Sequence, residues 1–350
     1  MIFTSDNASG AAPEIMAALV EAEAGYAMPY GNDDVTARAQ ARIREVFEAP
    51  DAAVYFVATG TAANALALAC LCPPWATVYC HKGSHIEEDE CAAPEFYTGG
   101  AKLTLLDGQD AKLTEEGVRT AIAAAAPVGV HNVQKGALSL TQATEAGAAY
   151  TLAEVQTLAG IARNAGLPVH MDGTRLANAL ARQNVSAADM TWRAGVDVLC
   201  LGATKNGALA AEAVILFDPE RAWEFELRRK RGGHLFSKMR FISSQMEAYL
   251  NDGLWLRLAR HSNAMADRLA DGINGVAGAQ VTNTIGANML FPEITLGQHK
   301  RLEAAGARYY TMTPFDPEGA DEQVIKIRLV ASFRTTDADV DRFLAILGGA

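Results

Sequence analysis

From residue 50 to about 217, short runs that are apolar on both faces alternate with helical stretches, and this alternation constrains the fold most. AVYFVA (53–58), ATVYC (76–80), KLTLL (102–106), VGVHNV (128–133), ALSLT (137–141), LPVHMD (167–172), VDVLCLG (196–202) and EAVILF (212–217) read as strands. TAANALALACL, TLAEVQTLAGIARNAG (151–166) and TRLANALAR, lying between them, read as helices. A strand without a polar face must be covered on both sides, which predicts a largely parallel sheet between helical layers. Too little chain separates 202 from 212 for a crossover helix, so those two strands are expected to pair antiparallel.

The pattern changes after 217. Residues 219–274 read as mostly helical, with a basic cluster RRKR at 228–231. QVTN, NMLFPEI, ARYYTM and VIKIRLVAS then alternate with helices expected near 295–306 and 336–347. This predicts an α/β chain in two parts, a large domain over 1–245 and a smaller α+β domain over 246–350, joined without a Pro/Gly linker.

Thirty Lys and Arg residues against 41 Asp and Glu give a formal charge of -11, which argues against a nucleic-acid or anionic-membrane partner. The uncharged stretch between Asp51 and His81 is interrupted by Thr59, Gly60, Asn64, Pro73 and Pro74, so it reads as strand, turn and buried helix, not a membrane span. No basic leader precedes Arg38, and the five cysteines lack CxxC spacing. A cytoplasmic protein with buried, reduced thiols is expected.

Three segments deliver polar residues beyond strand ends, where open parallel sheets bind ligands. In ATGTAAN, Gly60 and Thr61 stand at a strand-to-helix turn whose free N–H groups suit a phosphate. In VHMDGTR, Asp172 closes a strand, with Arg175 just beyond; alone it reads equally as a helix cap. In LGATKNG, Lys205 follows a strand among small residues, where partial desolvation would make it an imine-forming amine. A phosphate turn, a strand-end aspartate and a strand-end lysine are together the parts of a pyridoxal-phosphate site.

On these residues the sequence resembles the fold-type I pyridoxal-phosphate enzymes, specifically the L-threonine aldolases of the β-eliminating lyase group, nearest the branch with phenylserine aldolases. TSDN, YGNDDVT (30–36), FVATGTAAN, SHIEEDE (84–90), VHMDGTR, GATKNG, RGGHLFSKMR and IRLV (327–330) carry the likeness in the family's order. The resemblance implies that Lys205 binds the cofactor aldehyde, Asp172 pairs with the ring nitrogen, and Gly60 and Thr61 hold the phosphate. Arg240 would reach the phosphate region, with Arg231 a weaker candidate. His85 would stack on the ring, and His85 or a water near it would take the β-hydroxyl proton. Ser5, Arg175 and Arg328 would clamp the substrate carboxylate, Arg334 being the fallback for Arg328. His81 and His85 stand at i, i+4, yet no third ligand has suitable spacing, so no metal is expected.

The resemblance further implies retro-aldol cleavage of L-β-hydroxy-α-amino acids to glycine and an aldehyde. It also implies a homodimer or homotetramer in which Tyr30 and Arg240 serve the neighbouring subunit's site. The alternatives are β-elimination or transamination on the same cofactor, or a catalytically silent scaffold. One departure stands out. Many relatives have Glu-Asn-Thr-His after a central strand, whereas this chain has LTQATEAG (140–147), placing Thr144 roughly at the histidine. On that reading Thr144 faces the β-substituent, bulky or aromatic substrates are favoured, and Thr144→His narrows the preference towards threonine.

Overall fold

A computed structural model describes residues 1–125 and 129–349. Seven strands form the main sheet: β1 (Ala53–Val57), β2 (Ala76–His81), β3 (Lys102–Leu106), β4 (Gln134–Thr141), β5 (Val169–Gly173), β6 (Val198–Gly202) and β7 (Glu212–Leu216). Their order is β1-β7-β6-β5-β4-β2-β3. The pairs β6–β5, β5–β4, β4–β2 and β2–β3 are parallel, whereas β7 runs antiparallel to both β1 and β6. The short 202–212 connection therefore forces the reversal expected from its length. One expected strand does not form: Gly129–His131 is a 3-10 turn, and Val128 lies outside the described residues. Pairing with β2 begins instead at Gln134.

A second, antiparallel sheet carries β8 (Gln280–Val281), β9 (Met289–Leu290), β10 (Pro292–Thr295), β11 (Tyr310–Thr311) and β12 (Val324–Val330). Helices Leu254–Asn274, Leu296–Ala304 and Asp337–Gly348 accompany it. The two largest apolar cores lie one in each part. The first extends to Leu254, Trp255 and Ala259, and the second takes up the same helix from Met265. The cores thus meet inside one continuous helix, beyond residue 245, because its 21 residues are long enough for each end to pack separately. Phe3 belongs to the second core, edge-on to Phe343 at 5.3 Å. The N-terminal segment therefore crosses to the smaller sheet and carries Ser5 and Asp6 past the ends of the large one.

The strand ends converge because β5 is central: Asp172 is in register with Thr141 of β4 and Cys200 of β6. A methyl on Gly202 would lie 2.7 Å from the Thr174 backbone. Only glycine lets the end of β6, and with it Lys205, come this close to the turn after Asp172.

Candidate active site

Asp172 is buried, and three donors bond its carboxylate. Thr174 donates from its amide at 3.0 Å and its hydroxyl at 2.6 Å, and Asn64 Nδ2 donates at 3.0 Å. Burial alone would raise its pKa, but the charge of His85 and the Thr174 bonds outweigh that and hold it below the usual carboxylate value. Behind it, His170 bonds Ser139 Oγ through Nδ1 and Cys200 Sγ through Nε2. Burial pushes this ring down to about 4, so it is neutral.

Asn64 Nδ2 also donates to Glu90 Oε1 at 2.8 Å, and Glu90 Oε1 lies 2.8 Å from His85 Nδ1. His85, on the short helix after β2, is thereby tied to Asp172 through two side chains. The Glu90 bond raises its affinity for a proton against the opposing effect of burial. Neither Asn64 nor Glu90 was given a site role from the sequence. Their only signals were an asparagine in an Ala/Leu helix and a second acid within SHIEEDE. His85, Glu90 and Asp172 bring ligand-type atoms within 4.8 Å of one another, but hydrogen bonds already link these groups. His81 has both nitrogens engaged, with Gly83 N and Gly108 O.

Lys205 lies in the turn Thr204–Asn206 just after β6. Asn206 fixes that turn by donating to Tyr249 Oη at 2.8 Å and to the Trp255 carbonyl at 2.9 Å. The ammonium acts electrostatically on Asp6, His85 and Glu212, which places it among them. Glu212, on β7, is pushed up to about 7 by burial, against the bond from Thr204 and the Lys205 charge. Because the folded value lies above the ordinary 4.5, the unfolded chain ionises first as pH rises. Stability is then full below about 4.5 and falls by roughly 3 kcal/mol as pH climbs through about 7. Glu212→Gln should therefore stabilise the cofactor-free chain by up to that amount at pH 8 and leave it little changed at pH 4.5. Urea unfolding at both pH values checks this; an equal shift at the two would contradict it.

Gly60 and Thr61 open the helix Gly60–Leu71, capped by Thr59 Oγ1 accepting from Ala62 N. As first-turn residues they have N–H groups without an intrahelical partner, pointing out of the helix at its positive end.

Arg175 is buried and grips Asp6 through Nε (2.8 Å) and Nη2 (3.1 Å). Its Nη1 has no hydrogen bond and lies 3.7 Å from Glu145 Oε1. Arg328 Nε is also buried without a partner, and the Arg175 charge acts on its guanidinium. Two orphaned donors thus stand on neighbouring arginines. Arg334 is tied elsewhere, to the Ala11 carbonyl at 2.8 Å. Ser5 donates to Asp6 Oδ1 at 3.4 Å and accepts from Asn7 N, so it stands beside the pair.

Four further expected residues lie elsewhere. Tyr30 N bonds Ser237 O, its ring lies under Lys230 Nζ at 5.1 Å, and Arg240 reaches the Gly25 carbonyl at 3.4 Å. These contacts form a surface patch without joining the strand-end cluster of the same chain. Arg231 is exposed at its helix end. Thr144 is fully buried, its hydroxyl donating to Asp110 O at 2.8 Å and accepting from Ala148 N. It pins the loop after β4 and does not face a substrate; the next residue, Glu145, is the one that turns towards Arg175. One position along the loop is enough to swap a buried side chain for one that turns towards Arg175. Thr144→His should consequently cost stability, by about 2–4 kcal/mol from overpacking and lost hydrogen bonds, instead of shifting preference. A thermal melt checks this.

The seven-strand order with β7 antiparallel to both neighbours, and the second antiparallel sheet, define the fold of the fold-type I pyridoxal-phosphate enzymes. The family model of beta-eliminating lyases matches residues 3–294, and the chain belongs to that family. It is 41% identical over 309 residues to the low specificity L-threonine aldolase of Pseudomonas aeruginosa, covering 88% of each chain. The solved threonine aldolase of Leishmania major superposes with a TM-score of 0.91 at 28% identity, covering 99% of this chain and 98% of that one. A serine palmitoyltransferase from S. paucimobilis with bound PLP shares the fold at 13% identity and a TM-score of 0.68, covering 99% and 86%.

Proposed function

We propose that this protein is a pyridoxal-phosphate aldolase of the L-threonine aldolase type, cleaving L-β-hydroxy-α-amino acids to glycine and an aldehyde. The observation that carries the reading is a pair of buried, unpartnered guanidinium donors, Arg175 Nη1 and Arg328 Nε, on the side of the cluster that holds Asp6, an acid within reach of the Lys205 charge. Its curated relatives act in the same sense, as their names state.

The residues fit the cofactor. Lys205 offers the amine for its aldehyde, Asp172 an anionic partner for the ring nitrogen, His85 a ring to cover it, and Gly60 and Thr61 amides for the phosphate. When bound, pyridoxal phosphate supplies an electron sink for the pair released by the Cα–Cβ bond. Asp172, kept ionised, holds a proton at the ring nitrogen. Arg175 Nη1 and Arg328 Nε orient the substrate carboxylate, and Asp6 fixes Arg175 through its other two nitrogens so that this donor is left unpartnered. His85, made more basic by Glu90, takes the β-hydroxyl proton at Nε2 or through a water.

Incubation with L-threonine, L-allo-threonine and L-phenylserine should yield glycine and the matching aldehyde in equal amounts. Ammonia with an oxoacid would instead mean β-elimination, and dependence on a second oxoacid would mean transamination.

Tyr30 and Arg240 serve a second copy of the chain in this reading. Val20, Tyr26, Met28 and Phe236 expose large apolar side chains on the segments around them, as a subunit contact would require. Mixing Lys205→Ala with Arg240→Ala chains should then restore part of the activity through hybrid dimers. Hybrids that form yet remain inactive would place a complete site in each chain. The five cysteines are free, four of them buried, which fits a reducing cytoplasm. Among the described residues no helix is long and apolar enough to cross a membrane.

A further inference from the structure

A cavity of about 400 Å³ at the seam of the two cores meets the strand-end site through one side chain, Glu145. Gly83, Ala111 and Ala146 line it from the segments that follow β2, β3 and β4, and Phe291, Met312 and Lys326 from the second sheet and its flanks. Glu145 is at once part of that wall and a carboxylate 3.7 Å from the free donor of Arg175. Its charge also acts on Arg328.

We propose that this seam cavity receives the β-substituent of the substrate, so that Phe291 and Met312 decide which β-substituents are accepted. The inference rests on the aldolase reading above. With a carboxylate seated on Arg175 Nη1 and Arg328 Nε, Cβ lies only two bonds from the carboxyl carbon. A β-substituent therefore departs from close beside Arg175, and the space opening there, past Glu145, is this cavity. Phe291 is nearly buried and Met312 half-exposed at the mouth, giving an aromatic wall and a deformable thioether suited to an aryl or alkyl group. Glu88, Asp110 and Glu145 also border the space, against the single ammonium of Lys326. That excess of negative charge disfavours a carboxylate on Cβ. The accepted class is thus neutral aryl and alkyl β-substituents, and 3-hydroxyaspartate is rejected.

The test uses the holoenzyme, with kcat/KM for L-phenylserine, L-threonine and 3-hydroxyaspartate, and calorimetric binding of glycine, which has no β-substituent. Ala146→Leu fills the cavity and should lower the phenylserine-to-threonine ratio about tenfold, the scale for a displaced methylene-sized group or more. Met312→Lys, at an exposed position, adds a cation at the mouth and should raise the 3-hydroxyaspartate-to-threonine ratio by a similar factor. Should the filled variant fail to fold, the charge variant decides alone. Ratios within twofold of the parent in the folded variants, with glycine still binding, would overturn the cavity assignment. A parent enzyme that neither binds glycine nor forms it from any of the three would instead overturn the aldolase reading.

Discussion

Replacement of Lys205 by alanine should leave a folded chain whose turnover falls by about 10²–10⁴-fold, the range for removing a group that moves protons in the reacting complex. The fold should survive because the turn is fixed by its neighbour: Asn206 holds Tyr249 and the Trp255 carbonyl, and neither bond involves the lysine side chain. The loss is chemical. Lys205 is the amine that stands beside Asp6, His85 and Glu212, whereas Lys82, after β2, is exposed and paired with Asp107. Borohydride treatment of the parent followed by peptide mass analysis should show a cofactor-sized addition on the peptide containing Lys205, and none in the variant. Turnover near the parent's in Lys205→Ala would remove the residue from its assigned place.

Asp172→Asn should cost about 10²–10³-fold in kcat, the usual effect of deleting one preorganised charge at a reacting centre. Asparagine nearly preserves the shape, and its side-chain oxygen still accepts from Thr174. However, its NH₂ would face Asn64 Nδ2, which now donates to Asp172 Oδ2 at 3.0 Å. Two donors would then oppose each other, and the link that runs through Asn64 and Glu90 to His85 would loosen. A cap-only role predicts a small stability change with unaltered kinetics. A role towards the cofactor predicts the reverse, together with altered cofactor absorbance. Measuring kcat, melting temperature and the spectrum of the same preparation separates them.

Much of the site was legible because its parts are local. Strand followed by Gly-Thr, strand ending in Asp and strand followed by Lys are patterns within a few residues, each set by where an apolar run stops. The reversal at β7 was equally legible, since ten residues cannot cross a sheet. The same locality explains the failures. VGVHNV has the composition of a strand, yet the backbone turns at Gly129–His131 and sheet pairing starts only at Gln134. Thr144 matched its relatives' histidine by counting, but the loop after β4 directs Thr144 inward to Asp110 O and Glu145 outward to Arg175.

The sequence by itself determined the layered α/β architecture and the placement of Lys205, Asp172 and the Gly60–Thr61 turn at strand ends. Periodicity and strand termination are short-range consequences of burying apolar side chains. Only the tertiary structure decided the electrostatics that make those residues useful. Asp6, 169 positions from Arg175, takes two of its donors and leaves Nη1 free. Glu90 sets the proton affinity of His85, and Asn64 joins it to Asp172. Burial pushes Glu212 up to about 7, and the N-terminus crosses to the second core to bring Ser5 and Asp6 into place. Such partnerships depend on distance and desolvation in three dimensions, and a charge's environment is fixed only when segments remote along the chain close around it.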